Sequence, residues 1–447
     1  MQVGPPRAWS HIPGPPMTPQ TLPVPDPAQI VATTLFALAL AHTFATRHFE
    51  RLAQRFPRHA GLLHLLGEVE VVFGFWALVL LLALAALDGR AAALRYAETR
   101  DYTEPLFVFV VMVIAGSRPV LATVLALVDG LAGWLPAPRR AAATVWLGLA
   151  LVPLLGSLVT EPAAMTIAAL LLAPRVFHPG MPERLKYLAL GTLFVNVSIG
   201  GTLTAYAAPP VLMVADVWGW TSAHLFNHFG WKAACAVLVN ASLATALLRR
   251  HLPLAGAGEG SALAPAVEGD RPPVPWALTA VHLGLLAGVV LLAHHPVAFL
   301  GLFLLFLGIA QAYERHQNPL LLREALLVAF FLAGLVLLGG LQSWWLAPLV
   351  AGLEPLALFF GSVALTAVTD NAALTYLGAQ IPGLSAQAQY LLVAGAVTGG
   401  GLTVIANAPN PAGQALLARF FGGAISPVGL LAGALPPTII AALAFRL

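Results

Sequence analysis

The chain has 447 residues, of which 59% are hydrophobic and 9% are charged, and its formal net charge is +3. Soluble domains carry about 25% charged residues, so this composition excludes a protein whose whole surface faces water. The single cysteine, Cys235, excludes a disulfide framework or a thiolate metal site within one chain. The small positive charge indicates no nucleic-acid partner, because the basic residues lie in loops between apolar stretches. The composition therefore predicts an all-α polytopic membrane protein whose main surroundings are a lipid bilayer.

The chain opens with a proline-rich segment, residues 1–27, which contains nine prolines. We expect this N-terminal tail to be disordered or loosely attached. After it, apolar stretches close to the ~20 residues that span a bilayer recur along the rest of the chain. Ten of these stretches are predicted to be membrane spans: 28–46, 62–87, 104–128, 185–217, 230–250, 275–293, 296–312, 320–341, 386–421 and 425–446.

Two further apolar segments, 142–178 and 346–380, are too long for one span. Each is interrupted midway by a polar phrase, VTEPAAMT at 159–166 and VTDNAALT at 368–375. A long apolar segment with a polar break at its centre predicts a re-entrant helical hairpin whose tip lies within the membrane. The pattern alone also allows two full spans in each case.

The basic residues predict the orientation of the spans, because cytoplasmic loops of membrane proteins are enriched in Lys and Arg. If both hairpins are re-entrant and the N-terminus lies outside, fifteen of the 22 basic residues fall in inside loops and six fall outside. The remaining one, Arg118, lies within a span. We therefore expect both termini on the periplasmic side of a bacterial inner membrane.

The two interrupted segments belong to a larger internal repeat. Residues 28–251 and 275–447 each contain three spans, a hairpin, an interrupted span and a final span, and a polar linker, 252–274, joins them. Five crossings per half is an odd number, so the second half is predicted to be inverted in the membrane relative to the first. Inverted repeats with broken helices are typical of secondary transporters.

The interrupted spans contain the runs SIGGTLTAYAAPP and TGGGLTVIANAPNP, which are poor helix formers in mid-span. Glycines lower helix stability and prolines remove backbone donors. An unwound segment exposes carbonyl oxygens that can replace water around a cation, and Thr202, Thr204, Thr403 and Asn407 would add side-chain oxygens. The alternative is close helix packing through small residues, which is common in membranes.

Asp370 and Glu161 are the main candidates for the chemistry, because a carboxylate inside an apolar segment costs about 2.5 to 3.5 kcal/mol on insertion scales. A structural alternative, which does not exclude function, is that Thr369 or Asp370 caps the second helix of its hairpin. A helix N-terminus favours the ionised form and burial favours the protonated form. A carboxylate balanced between the two can exchange a proton for a cation.

Three other charges fall within predicted spans: Glu68 and Glu70 in GEVEVVFG, and Arg118 in AGSRPVL. A structural ion pair between Arg118 and one of the glutamates is one interpretation. The other glutamate would then be available for proton transfer, since positions 68 and 70 face different sides of a helix.

The hairpin phrase VTDNAALT, together with NVSIGGTLTAYAAPP and TGGGLTVIANAPNP, resembles the ion transporter superfamily. That group includes sodium/proton antiporters, arsenite permeases and divalent-anion/sodium symporters. The phrases GEVEVVFG and VTDNAALT are similar to those of its sodium/proton antiporter family. The resemblance extends over nearly the whole chain from about residue 28. It implies two pseudo-symmetric sites near the midplane, an elevator-like displacement of the hairpin domain, and a homodimer.

Carried over to this chain, the resemblance implies two sets of site residues. The first set is Thr160, Glu161, Asn196, Gly201 and Thr202. The second set is Thr369, Asp370, Asn371, Gly400, Thr403 and Asn407. The chain departs from the anion symporters, whose hairpin tips carry uncharged Ser-Asn-Thr phrases that can approach an anion. Carboxylates at the tips favour a cation or a proton.

The leading hypothesis is therefore a secondary transporter that exchanges sodium or lithium for protons, with no cofactor and no resident metal beyond the transported cation. The alternative is a sodium-coupled symporter of a small organic or inorganic anion, which would want a basic or donor-rich cavity. An intramembrane enzyme using Asp370 and Glu161 as a catalytic dyad is a third interpretation. Inverted duplication with two broken spans argues against it, so we expect no enzyme activity.

Overall fold

The computed structural model describes residues 25–252, 272–351, 353–422 and 425–447. It is 81% helical, and the described residues contain no strand. Most of the predicted tail and of the predicted linker lies outside the described residues. The helices use the residue types expected of a membrane protein, with apolar side chains around most of their circumference and prolines concentrated at helix starts.

The first half of the chain contains thirteen α-helices among its described residues. They are α1 (Pro27–Arg55), α2 (Ala60–Gly67), α3 (Val69–Asp88), α4 (Arg90–Glu98), α5 (Thr103–Ala115), α6 (Arg118–Gly133), α7 (Ala137–Leu149), α8 (Leu151–Val159), α9 (Glu161–Val176), α10 (Glu183–Gly200), α11 (Pro209–Trp218), α12 (Ser222–Leu225) and α13 (Trp231–Leu248). A short π-helical segment, Phe226–Gly230, leads into α13.

The second half contains nine α-helices among its described residues. They are α14 (Trp276–Leu291), α15 (Pro296–Ala312), α16 (Leu322–Gly339), α17 (Ser343–Ala351), α18 (Pro355–Val368), α19 (Asn371–Ala379), α20 (Ala386–Gly399), α21 (Asn410–Leu417) and α22 (Pro427–Phe445). Single turns of 3₁₀-helix, Gly201–Leu203 and Val404–Ala406, follow α10 and α20.

Five helical stretches among the described residues are long and apolar enough to cross a membrane, or six if one bent pair counts as a span. They are Val71–Asp88, Arg139–Val159, Ser222–Leu248, Leu322–Gly339 and Pro427–Phe445, and the bent pair is α5 with α6. The chain is therefore a multi-pass helical membrane protein. The predicted total of about ten spans exceeds this number, because several predicted spans are shorter or interrupted helices in the structure.

Two predicted spans contain breaks that the sequence analysis did not foresee. The predicted span 104–128 is divided into α5 and α6, which meet at an angle of 63°. Pro119 lies in the first turn of α6, where its missing N–H does no harm, whereas a continuous helix would need that donor. The predicted span 62–87 is divided at Glu68, whose extended backbone separates α2 from α3.

The two predicted glycine breaks are present, after Gly200 and after Gly399. A Cβ atom on Gly200 would lie 2.6 Å from the carbonyl oxygen of Pro153, and one on Gly399 would lie 2.5 Å from that of Val363. Glycine thus allows each helix to pass against the backbone of the preceding helical segment. The close approach brings the end of α10 against α8 and the end of α20 against α18.

The buried side chains form two hydrophobic cores. One contains residues of α1, α3, α5, α14, α15 and α16. The other contains residues of α7 to α10, α13, α18, α20 and α22. The helix breaks that carry the predicted site residues lie near the boundary between these cores, since Val159 and Ala372 pack into the first and Val397 and Leu402 into the second.

Candidate functional site

The break between α8 and α9 places Glu161 as the first residue of a helix. The preceding residue, Thr160, has φ +84° and ψ 152°, and among the described residues it is the non-glycine residue with positive φ. Pro162 follows Glu161 and has no N–H, so the start of α9 offers fewer backbone donors than an ordinary helix N-terminus. The Glu161 carboxylate is therefore directed to a partner outside its own helix.

That partner is Asn407, which lies 246 positions later in the chain. The Nδ2 of Asn407 donates a hydrogen bond of 2.8 Å to Oε2 of Glu161, and both side chains are buried. Oε1 of Glu161 accepts no hydrogen bond from any described residue. A Cβ atom on Gly201 would lie 2.4 Å from Oε1, so only glycine leaves room for the carboxylate there.

The break between α18 and α19 places Asp370 at the N-cap of α19. Its Oδ1 accepts hydrogen bonds from the backbone N–H groups of Ala372, at 2.8 Å, and Ala373, at 3.1 Å. This bears out the predicted capping role for Asp370. The side chain is 8% exposed, whereas Glu161 is fully buried. The helix N-terminus and the two donors stabilise the ionised carboxylate.

Asn371, the first residue of α19, is directed to the first half of the chain. Its Nδ2 donates to Oγ of Ser198 on α10 over 3.5 Å, and the Ser198 hydroxyl donates to the carbonyl of Val397 on α20. A Cβ atom on Gly400 would lie 2.1 Å from Oγ of Ser198. A side chain at position 400 would therefore clash with Ser198, and glycine there makes room for the contact between α10, α19 and α20.

A cavity of about 30 Å³ lies beside Asp370. Its polar lining comes from Thr43, Thr369, Asp370 and Asn407, and its walls include Leu40, Phe73 and Phe331. A cavity needs roughly 10–15 Å³ to hold one water molecule, so there is room for a water or a dehydrated monovalent cation. The walls come from α1, α3 and α16, and the polar lining comes mainly from the two helix breaks. The cavity thus lies where the two hydrophobic cores meet.

A similar hydrogen bond occurs in both halves. The residues that correspond in the structure are offset by one position from those that correspond when the two phrases are aligned. Oγ1 of Thr204 donates to the carbonyl of Ser157 over 2.7 Å, and Oγ1 of Thr403 donates to that of Ala367 over 2.8 Å. The hairpin acceptors are 210 positions apart, and so are the first residues of the helices after the breaks, Glu161 and Asn371. Glu161 therefore has the helix position of Asn371, not of Asp370.

The same register places Thr160 at the helix position of Asp370. The phrases VTEPAAMT and VTDNAALT match with Glu161 opposite Asp370, but α9 resumes one residue earlier in its phrase than α19 does. One carboxylate is thus an N-cap and the other the first helical residue.

The other predicted residues of the first set lie at some remove from the tip. Nδ2 of Asn196 donates to the carbonyl of Leu149 over 2.8 Å, and its Oδ1 accepts from Asn240 over 2.9 Å. Oγ1 of Thr202 donates to the carbonyl of Ile199 over 2.7 Å. The Asn196 amide joins α10 to neighbouring helices, the Thr202 hydroxyl caps the end of α10 itself, and neither residue is among those that line the cavity beside Asp370.

The two auxiliary charges whose side chains are described, Glu68 and Arg118, are not among the residues that line the cavity. Glu68 forms an ion pair with Arg323 of α16. Nη1 of buried Arg118 donates to the carbonyl of Pro272 over 3.0 Å. The side chain of Glu70 lies outside the described residues, so its pairing with Arg118 stays a prediction, while Glu68 pairs with Arg323.

Two polar residues that the sequence analysis did not select shape the breaks. The hydroxyl of Ser157 donates to the carbonyl of Gly200 and accepts from the N–H of Leu203, over 2.7 and 2.9 Å. Nδ2 of Asn410 donates to the carbonyls of Gly400 and Thr403, over 2.7 and 2.9 Å. Asn410 lies within the run TGGGLTVIANAPNP, so its role at the break could have been predicted from the sequence. For Ser157, the sequence offered only its position four residues before Glu161.

The family described as "Putative Na+/H+ antiporter" matches residues 27–447. No curated protein matches the chain.

Proposed function

Because the chain belongs to this Na+/H+ antiporter family, we propose that it exchanges sodium or lithium for protons across a bacterial inner membrane, with Asp370 as the principal carrier. The observation that carries the proposal is the cavity beside Asp370. It combines a capping carboxylate with amide and hydroxyl oxygens inside apolar walls. Oxygen ligands of this kind suit a hard monovalent cation.

The chemistry of exchange follows from two opposing influences on Asp370. Two backbone N–H donors and the helix N-terminus stabilise the ionised carboxylate, whereas burial among apolar side chains penalises it. A cation bound at the ionised carboxylate offsets that penalty, and so does a proton. Sodium and a proton thus compete for one group. Either one, when bound, neutralises the carboxylate, so the site has the same net charge in both states. Such competition is what antiport requires.

The inverted repeat and the elevator-like displacement are part of the proposal. The recurring hydrogen bonds at Thr204 and Thr403, and the recurring close approaches at Gly200 and Gly399, support two related halves. The cavity at the boundary of two hydrophobic cores supports movement of one core against the other. We further propose re-entrant hairpins at Thr160 and Asp370, a homodimer, and both termini on the periplasmic side.

The test is reconstitution of the full chain in vesicles with an imposed pH gradient and an internal pH dye. Added sodium should dissipate the gradient in the wild type, and Asp370→Asn should abolish this sodium-driven flux. Asp129→Asn, which makes the same change at an exposed carboxylate on α6, should leave the flux close to that of the wild type. Proton flux that ignores added sodium would overturn the proposal.

The alternative, sodium-coupled uptake of a small anion, finds no supporting observation. The described residues that line the cavity include no Arg, Lys or His. Buried Arg118, which such a symporter would want as an anion ligand, instead donates to a backbone carbonyl elsewhere. Sodium-dependent accumulation of a labelled dicarboxylate in the same vesicles would favour this alternative.

A further inference from the structure

Asn407 contacts both the first hairpin tip and the cavity of the second. Its Nδ2 donates to Oε2 of Glu161 over 2.8 Å, and the residue lines the cavity beside Asp370. The side chain is 1% exposed, and its Oδ1 accepts no hydrogen bond from any described residue. A buried amide oxygen without a donor is uncommon in folded proteins, and a cation in the adjoining cavity would satisfy it.

Among the described residues, the second half contains this arrangement and the corresponding position of the first half does not. The residues that recur in the two broken helices, such as Gly200 and Gly399, are 199 positions apart. The counterpart of Asn407 is therefore Ala208, whose methyl group neither donates to a hairpin tip nor binds a cation. In addition, Glu161 has the helix position of Asn371 and not that of Asp370. The two halves do not build the same site twice.

Glu161 itself is poorly arranged to hold a cation. It is fully buried, its Oε1 lies against the backbone of Gly201, and among the described residues it does not line the cavity beside Asp370. Its one described hydrogen bond orients the amide of Asn407.

We propose that Glu161 is a positioning residue for a single cation site: it fixes the amide of Asn407 so that Oδ1 binds the cation carried by Asp370. This inference rests on the function proposed above. The physical reason is that the two ends of an amide have nearly the same shape and differ in charge. With its NH₂ held by Glu161, the amide of Asn407 has Oδ1 as the group left to bind a cation. Without that acceptor the amide can rotate, and its NH₂ would repel a cation.

A single site also sets the charge balance. When sodium leaves Asp370 the carboxylate takes up one proton, so one positive charge moves in each direction. Glu161 keeps the same ionisation state throughout. Exchange is then one sodium for one proton, with no net charge transferred across the membrane.

The test measures sodium-driven proton flux in vesicles as a function of sodium concentration. Glu161→Leu, which removes the acceptor, should raise the half-saturating sodium concentration about tenfold and change the maximal rate much less. Asn407→Ala should do the same, and the double variant should be no worse than Asn407→Ala alone. Glu161→Gln keeps a carbonyl acceptor and should restore most of the lost affinity. A purely structural role would lower the maximal rate and leave the affinity unchanged.

The outcomes distinguish this inference from the proposed function. Suppose that the wild type shows sodium-driven flux and that Asp370→Asn lacks it. Loss of this flux in Glu161→Gln as well would then show that Glu161 carries an ion itself. That result overturns the inference and leaves the proposed function intact. Absence of sodium-driven flux in the wild type would instead overturn the proposed function. With potassium and valinomycin used to impose an inside-negative potential, an unchanged flux supports one cation per proton, and a potential-dependent flux contradicts it.

Discussion

The helix after the first break begins at Glu161 itself, whereas the helix after the second break begins one residue after Asp370. This one-residue difference gives the two carboxylates different surroundings. Asp370 precedes its helix and takes two backbone donors as a cap. Glu161 is already helical, is followed by a proline, and reaches across to Asn407. The side chains are alike, but their roles follow from where the backbone turns.

Gly201 provides a residue-scale prediction. An added Cβ would lie 2.4 Å from Oε1 of Glu161, so Gly201→Ala should displace the carboxylate from Asn407. We expect a loss of stability of about 1–3 kcal/mol from overpacking. Sodium-driven flux at low sodium should fall by about tenfold, since a lost hydrogen bond weakens the site. The measurements are thermal unfolding in detergent and vesicle flux.

Gly130→Ala is the matched control, because no atom lies within 4 Å of a Cβ at that position in α6. It should leave flux unchanged and stability the same or slightly higher. Equal flux from Gly201→Ala and Gly130→Ala would contradict the role given to Gly201.

The capping by Asp370 and the need for glycine at the breaks were predictable at this scale, because local sequence determines both. The hydrogen bond between Glu161 and Asn407 was not. It joins residues 246 positions apart and depends on a one-residue shift in register. The sequence resemblance grouped Asn407 with Asp370, and in the structure it donates to Glu161 and lines the cavity beside Asp370.

At the scale of elements, the unusual backbone at Thr160 allows α8 to stop and α9 to begin. Positive φ with extended ψ is a region occupied almost only by glycine, and a β-branched residue there stores about 1–3 kcal/mol of strain. Oγ1 of Thr160 makes no hydrogen bond with a described residue, so the side chain does not offset that strain by hydrogen bonding. The strained backbone conformation at Thr160 is the one that brings Glu161 to Asn407.

Thr160→Gly should therefore relieve the strain and raise the unfolding temperature by about 1–3 °C, in line with about 1–3 kcal/mol of added stability. Thr123→Gly is the control, since Thr123 lies within α6 and donates to the carbonyl of Pro119. That change should lower the unfolding temperature, as glycine weakens a helix interior. A fall of similar size in both variants would contradict the interpretation of Thr160 as strained.

The helix breaks were predicted unevenly. Those after Gly200 and Gly399 were expected, because glycines and prolines cluster there. The 63° bend between α5 and α6 was missed, since only Gly116, Ser117 and Pro119 mark it within a long apolar stretch. The length of an apolar stretch does not show whether the helix within it is continuous, and the overestimate of the number of spans has the same cause.

At the scale of the whole molecule, a contact between a histidine and an aspartate links the broken helix of the first half to a loop of the second. Nδ1 of His294, between α14 and α15, lies 3.0 Å from Oδ2 of Asp216 at the end of α11. Both side chains are largely exposed, so the pair contributes little to stability. Its position makes it a reporter of movement between the two halves.

If the broken helices move as an elevator does, a covalent link at this position should stop transport. We expect Asp216→Cys with His294→Cys, in a background lacking Cys235, to lose sodium-driven flux after treatment with a short bifunctional thiol reagent. Trp146→Cys with Ser242→Cys is the control pair, because those side chains are in contact at 3.0 Å between α7 and α13, two helices that contribute to the same hydrophobic core. It should keep its flux after the same treatment. Full flux in the linked Asp216/His294 pair would contradict the elevator-like displacement.

The contact between Asn407 and Glu161 also bears on how the chain matures during synthesis. Ribosomes add about 5–20 residues per second, so Glu161 is made on the order of ten to fifty seconds before its partner exists. Asn371 likewise relies on Ser198, made 173 positions before it. Each half completes the other, so the first half must wait in the membrane with an unsatisfied acid until the last quarter of the chain has been inserted. The maturation of the site is therefore a late event in biogenesis.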